Sequence, residues 1–192
     1  MYKQCQTELS AARQRELEQG LLQVMLRQNY EDISVSDLCR ELQVPRKAFY
    51  RYFSGKDGAL HALIDHALMD YNVHAAVDQP GEMQNPVQYM EKIFMYWFRQ
   101  KSLLDALEKN GLSGILVQRA VDYTTEMDTI PRFMEIPDRR LREYGTMFMV
   151  CGLMTMIVRW HHDGFSKDAK EMARLAMDLF TQPLFSGKVE DI

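Results

Sequence analysis

The chain has 192 residues, 46% of them hydrophobic, with a formal net charge of −4. That bounds it as an ordinary globular protein with room for one large domain, or a small one plus a larger one, and no global charge that marks a nucleic-acid binder. Cys5, Cys39 and Cys151 are an odd number without a CxxC pair, so no disulfide framework or zinc spacing is present and a reducing, cytoplasmic setting is expected.

The N-terminal stretch is polar and lacks the apolar core of a signal peptide. Leu17, Leu21, Val24 and Met25 recur with helical spacing and predict an amphipathic first helix. Gln28-Asn29-Tyr30 ends it, since Asn tolerates a left-handed cap. Ser34 with Asp37 forms a capping-box start for a second helix, with Leu38 and Leu42 facing inward. Gln43-Val44-Pro45 makes a turn, and Pro45 fits the first turn of a third helix because it has no N–H to leave unpaired. Ala48, Phe49, Tyr52 and Phe53 supply that helix's packing side. Ser54 with Asp57 repeats the capping box and opens a fourth helix running to about Ala76.

Asp78-Gln79-Pro80-Gly81 is a break and Asn85-Pro86 restarts a helix. Tyr89 to Lys101 is amphipathic and aromatic-rich. Leu103 to Asn110 ends at Gly111, and Leu112 to about Met127 forms a further helix. Asp128 to Pro137 reads as loop. Asp138 to Asp163 is one long helix ended by Gly164, and Asp168 to Thr181 is the last, closed by Pro183. About nine helices and no strand predict an all-α fold. A head over residues 1–60, with its helix-turn-helix at about 34–53, precedes a larger helical domain over 61–192.

The charge is uneven. Residues 1–60 hold nine Lys/Arg against eight Asp/Glu, and from Gln43 to Lys56 there are four basic residues and no acid. A local basic patch on an acidic chain points to one phosphate-facing surface. In a helix-turn-helix the second helix enters the major groove and the first crosses the backbone. Arg46 and Lys47 sit on the first turn of that second helix, and Arg can bond guanine O6 and N7 in bidentate fashion. Tyr50 and Arg51 lie one turn on. Lys56 opens the fourth helix, where a cation opposes the helix dipole unless a phosphate is shared with it. Ser34 and Ser36 can donate to phosphate across the groove. The competing view is a solvated basic helix beside packed aromatics, and it suits Tyr52 and Phe53 better than contact with DNA.

Leu17 to Met25, Tyr30, Ser34-Val35-Ser36-Asp37-Leu38, Phe49-Tyr50-Arg51-Tyr52-Phe53 and Gly55-Lys56-Asp57-Gly58-Ala59-Leu60 together resemble the DNA-binding domain of the TetR family of bacterial regulators, over about residues 9–65. The resemblance implies an all-α homodimer that binds a double-stranded DNA operator and answers to a small-molecule effector. Where the family usually has Gly-Val-Ser/Thr, this chain has Gln43-Val44-Pro45, and Lys47 and Ala48 replace the usual Gly and Thr/Ser. The side-chain cap of the third helix is thereby lost, a change of about 1 kcal/mol.

Met147 to Val158 is apolar on all sides, too short a run to span a bilayer, and is expected to be buried all round against its own domain and a partner. With the final helix it predicts a four-helix dimer interface through Phe148, Cys151, Gly152, Thr155, Ala173, Ala176, Met177 and Phe180; the bland alternative is the core of a monomer. Met90, Phe94, Met95, Trp97, Phe98, Leu116, Tyr123, Met127, Phe133, Met134 and Met154 are candidates for an effector pocket, or simply for core, since thioethers and aromatics fill either. The stretch from Phe148 through Trp160 to Ser166 also resembles a C-terminal domain of Gram-positive relatives, including regulators of dihydroxyacetone kinase operons.

His61 and His66 are five apart, and the side chains of the adjoining His161 and His162 are expected to diverge, so no metal site is expected. No catalytic set stands out, no cofactor is implied, and an enzyme is not expected. Cys39 lies near the basic patch, which would lower its pKa, but an alanine-like core position suits it better. The function expected is a ligand-responsive, DNA-binding transcriptional regulator, with repression as its mode; the alternative is a TetR-like dimer acting mainly through protein partners or nonspecific DNA binding.

Overall fold

In the computed structural model, residues 1–77, 85–127 and 138–182 are described. They form nine α-helices: α1 (Glu8–Arg27), α2 (Val35–Glu41), α3 (Arg46–Tyr52), α4 (Lys56–Val77), α5 (Pro86–Arg99), α6 (Lys101–Lys109), α7 (Ser113–Met127), α8 (Arg139–His162) and α9 (Ala169–Thr181), with one 3-10 turn at Tyr30–Asp32. Among the described residues there is no strand beyond an isolated bridge between Tyr2 and Phe53. The break expected at 78–81, the loop at 128–137, and Pro183 lie outside the described residues.

The head closes around side chains that the apolar periodicity singles out. Leu21 and Met25 of α1, Leu38 of α2, Phe49 of α3, Phe53 after it, and Leu60 and Ile64 of α4 are all buried in one cluster. Burying each such side chain contributes about 1.5–3 kcal/mol, which is what holds two helices of only seven residues in place. Gly20 lets α1 approach α2: a Cβ there would lie 2.5 Å from both Leu42 methyl carbons. α4 packs on α1 in the head and on α7 beyond it. In the larger domain α9 lies along α5, and α7 along α8. An aromatic corner fixes the α8–α9 connection. The Trp160 and Phe165 rings meet edge-on at 4.7 Å, and Trp160 Nε1 donates to the Lys167 carbonyl at 2.9 Å.

Several local details differ from the sequence expectation. Asn29 is not left-handed (φ −72°); α1 ends in extended backbone at Gln28, and the chain re-coils as the 3-10 turn. Ser34 does cap α2, accepting from Asp37 N–H at 3.1 Å. The second capping box does not form. Ser54 Oγ donates to the Met1 carbonyl at 2.8 Å and Asp57 accepts from the Tyr30 hydroxyl at 2.6 Å. Pro45 is the N-cap of α3 and so precedes its first turn. Gly111 and Gly164 end their helices at φ +67° as expected, but Gln43 and Phe165 also take positive φ, 53° and 55°.

Within the single chain, Met147 to Val158 is buried on one side only, which leaves the expected burial against a partner untested. Met154 and Ile157 are buried, but Met147 and Phe148 are exposed, Phe148 by 70%, and so is Tyr144 one turn before. By length and composition Arg140–His162 would qualify as a membrane span.

Candidate nucleic-acid interface

α3 is two-faced. Phe49, Tyr52 and the following Phe53 are buried, while Arg46, Lys47, Tyr50 and Arg51 are exposed. Spacing of one, four and five residues puts those four on one side of the helix. The Arg46 guanidinium lies over the Tyr50 ring at 5.8 Å, a cation–π contact that orders both side chains. The face combines three fixed cations with a phenol that can donate to phosphate, and α3 carries no acid in its first turn. Beside it, Asp37 and Glu41 of α2 are paired with Arg40 and Arg27. Their charge is thereby offset.

The structure separates the other expected contacts. Ser36 is exposed on α2. Ser34 is exposed too, but its hydroxyl is committed to Asp37, accepting from the backbone and donating to the carboxylate at 2.5 Å. Its role is that of a cap. Lys56 is half-buried. Its Nζ donates to the carbonyls of Tyr30 at 2.7 Å and Glu31 at 3.1 Å and sits 4.5 Å from the Tyr30 ring centre. An ammonium has three donors, so one N–H remains beyond this clamp. The Cys39 thiol is buried, and burial raises its pKa while Arg46 opposes the rise only in part, which argues against a reactive thiolate.

Sequence reasoning missed the residues that hold the head to the rest of the chain. Asn110, at the end of α6, accepts from the Tyr30 N–H at 2.6 Å and donates to the Met25 carbonyl at 3.3 Å. Lys109 donates to the Leu26 carbonyl at 2.8 Å. Arg119 of α7 makes a two-bond ion pair with buried Asp65 of α4. Residues 1–3 strap across the α3–α4 junction, with the Lys3 N–H donating to the Tyr52 carbonyl at 2.9 Å. Nothing in the local sequence signals any of these contacts.

In the larger domain, Met90, Phe94, Trp97, Leu116 and Met154 are buried in the core cluster. Met95 and Phe98 are exposed and Tyr123 is half-buried; the side chain of Met127, with Phe133 and Met134, lies outside the described residues. Near them, burial pushes the Tyr96 phenol up to about 12.

Of the expected interface residues, Thr155 is exposed with Phe148, and Cys151, Gly152, Met177 and Phe180 are half-buried. Ala173 and Ala176 are turned inward and fully buried within the chain, because α9 lies along α5; as a free surface they are corrected. The exposed apolar positions of α9 are Leu175 and Leu179. A groove of about 330 Å³ between α8 and α9 is lined by Thr155, Met156, Trp160, Met172, Leu175 and Leu179. The histidine expectation also changes: His161 and His162 do not diverge but converge on Glu108, at 2.9 and 2.5 Å.

Residues 20–63 match the family model described as bacterial regulatory proteins of the tetR family. No curated protein matches the chain. Among solved structures, the fatty acid degradation regulator FadR from Bacillus halodurans superposes with a TM-score of 0.55 at 13% identity, covering 89% of this chain and 95% of its own. The dihydroxyacetone kinase operon activator DhaS does so with a TM-score of 0.55 at 11% identity, covering 87% and 93%. At that identity the likeness is one of fold, and it extends over the larger domain as well as the head. The basic face of α3 therefore lies within the one segment, residues 20–63, that matches the model of bacterial regulatory proteins of the tetR family.

Proposed function

We propose that this chain is a ligand-responsive transcriptional regulator that binds a palindromic operator as a homodimer, with repression as its mode. The observation that carries this reading is the division of α3: one side is fully packed, and the other presents Arg46, Lys47, Tyr50 and Arg51 in the domain that matches the tetR family. The exposed apolar stripe of α8 and the groove beside α9 support a second copy as partner. Two copies related by a two-fold axis would present their α3 helices about 34–36 Å apart, one turn of DNA. An effector shifts such a dimer only through unequal affinity for two states, typically by about 1–3 kcal/mol. The tyrosines Tyr71 and Tyr89, half-buried side by side between α4 and α5, support a polar contact for it in the larger domain.

The test is binding to the DNA upstream of its own gene, measured over a range of salt. Each phosphate contact contributes about 0.9 to the slope of log affinity against log salt. Lys47→Ala should lower that slope by about one contact, and Arg46→Ala should also relax base preference, at a cost of about 1–3 kcal/mol. If both variants keep the wild-type slope and sequence preference, the groove assignment is wrong. A footprint over the promoter supports repression; one upstream of it with raised transcription overturns that mode.

A further inference from the structure

α3 is only seven residues long and no side chain caps its start. A helix that short does not hold itself, and its last carbonyls have no partner within it. Its direction is set by what grips its ends. At the C-terminal end that grip comes from a segment remote in sequence. The Lys3 N–H donates to the Tyr52 carbonyl at 2.9 Å. The Met1 carbonyl accepts from the Ser54 N–H at 3.0 Å and from the Ser54 hydroxyl at 2.8 Å. Between them Tyr2 faces Phe53 in an antiparallel bridge. Gly58, on the first turn of α4, leaves the space for this: a Cβ there would lie 2.5 Å from the Met1 carbonyl oxygen.

The same segment is seated on α1 and α4. The Tyr2 ring meets the His66 ring edge-on at 5.7 Å, and His66 Nδ1 lies 2.8 Å from Glu18 of α1. Burial first, and the Asp65 carboxylate second, push the Tyr2 phenol up; that carboxylate is the one Arg119 of α7 pairs with. Cys5 Sγ donates to Gln14 Oε1 at 2.8 Å and accepts from the Ser10 hydroxyl at 3.4 Å. Gln14 and Glu18 are polar yet buried, a placement that destabilises unless partners meet them. Cys5 meets the first, and His66, beside Tyr2, meets the second. The polar groups that α1 buries thus form the seat of the segment.

We propose that residues 1–5 are a positioning strap for α3, which fixes the angle at which Arg46, Lys47, Tyr50 and Arg51 are presented and does not itself touch DNA. Its hold on the α3–α4 junction is through backbone bonds, so the Lys3 charge plays no part in it. Without the strap the junction must be ordered when DNA binds. Affinity and discrimination between sites then both fall, while the phosphate contacts, and with them the salt slope, stay. This last step rests on the DNA-binding reading; the seating of the strap does not.

The experiment follows the full chain by amide hydrogen exchange, and by binding to the DNA upstream of its gene and to a shuffled copy of that DNA over a range of salt. The Lys3 and Ser54 amides should exchange more slowly than in an unfolded chain. Deleting residues 2–5 should speed exchange at Ser54 and lower affinity for the upstream DNA about five-fold, the equivalent of one typical hydrogen bond. The loss should be smaller on the shuffled copy, at an unchanged salt slope. Gly58→Ala favours α4 by helix propensity but drives a methyl into the Met1 carbonyl, and it should act as the deletion does, which keeps the test open if the deleted chain fails to fold. In the deleted chain Gly58→Ala should lower affinity no further, because both changes act through one contact. Lys3→Ala keeps the amide and should keep the salt slope. The proposal is overturned if Lys3 and Ser54 exchange as in an unfolded chain while DNA is still bound, or if the deletion lowers neither affinity nor discrimination. It is also overturned if Gly58→Ala weakens the deleted chain as much as the full one, or if Lys3→Ala lowers the slope by about 0.9, which would make the segment a DNA-contacting arm. Protected amides in a wild-type chain that shows no preference for its upstream DNA would instead sink the DNA-binding reading, and the positioning step with it, while the strap stands.

Discussion

Lys56 sits where a phosphate contact and a structural clamp make opposite predictions. Its ammonium donates to two backbone carbonyls, at 2.7 and 3.1 Å, and lies on the Tyr30 ring. A hydrogen bond from a charged donor contributes about 1.5–3 kcal/mol when well shielded, and less for the exposed bond to Glu31. The cation–π contact adds about 0.5–1 kcal/mol at such a site. Against this, a cation at the start of α4 opposes the helix dipole by about 0.3–1 kcal/mol, and that penalty vanishes with the charge. The balance for Lys56→Met, which keeps the aliphatic stem over the ring, is a loss of about 2 kcal/mol. Urea unfolding followed by far-UV circular dichroism reads it as a lower midpoint at unchanged slope. The salt dependence of operator binding should change by less than the ~0.9 of one full phosphate contact. A Lys56→Met protein within about 0.5 kcal/mol of wild type, with a salt slope lower by a whole contact, would refute the clamp and restore Lys56 to the DNA.

Gln43→Gly should stabilise the head by about 0.5–1 kcal/mol, because the residue holds a left-handed φ of 53° that glycine adopts without strain; the urea midpoint checks it. Gly20→Ala should destabilise by about 1 kcal/mol despite alanine's better helix propensity, since its Cβ would lie 2.5 Å from the Leu42 methyls; in a Leu42→Ala background the same change should stabilise. The Asp105 carboxyl is held below the ordinary carboxylate range: burial opposes this, but the bonds from Lys101 and His161 outweigh it. A carboxyl depressed in the folded state contributes stability above its unfolded pKa and loses it as pH falls through the folded value, so the contribution should disappear below about pH 4. Asp105→Asn should therefore flatten the acid limb of the stability profile, measured by thermal melts across pH.

The helix count and most of the helix ends were legible because they depend on neighbours in sequence. Ser34 accepts from Asp37 and Gly111 is left-handed for local reasons. The two faces of α3 were legible for the same reason, through spacing alone. What the sequence concealed depends on partners far along the chain. Lys56 reads as a free cation until Tyr30 and Glu31 are brought beneath it. Asn110 reads as a helix-ending residue, yet its partner Tyr30 is 80 residues away. Adjacent histidines diverge on an ideal helix, and only the reach of Glu108 from α6 draws both to one carboxylate. Alanine is equally at home in a core and at a close helix interface, so Ala173 and Ala176 carried no signal that would place them against α5 rather than outside.

What covers α8 bears on all of this. Arg140–His162 has the length and mean hydropathy of a membrane span. A helix alone in a bilayer would offer apolar side chains around its whole circumference to lipid. One side of α8 is already taken, with Met154, Ile157 and Trp160 buried and the helix packed along α7. What it leaves open is a single stripe through Tyr144, Phe148 and Thr155, next to the groove that Leu175 and Leu179 border. A stripe beside a groove is self-complementary under a two-fold axis: the ridge of one copy can seat in the groove of the other. The second copy proposed above would cover this face. In the proposed dimer, with the two α8 helices set against each other, the spacing of the two α3 helices would depend on how each head is held to its own larger domain. The contacts that hold the head are those of Asn110 and Lys109 at the end of α6 and of Arg119 of α7 on Asp65. In such a dimer the geometry of DNA reading would be governed from α6 and α7, some distance from the exposed face of α3.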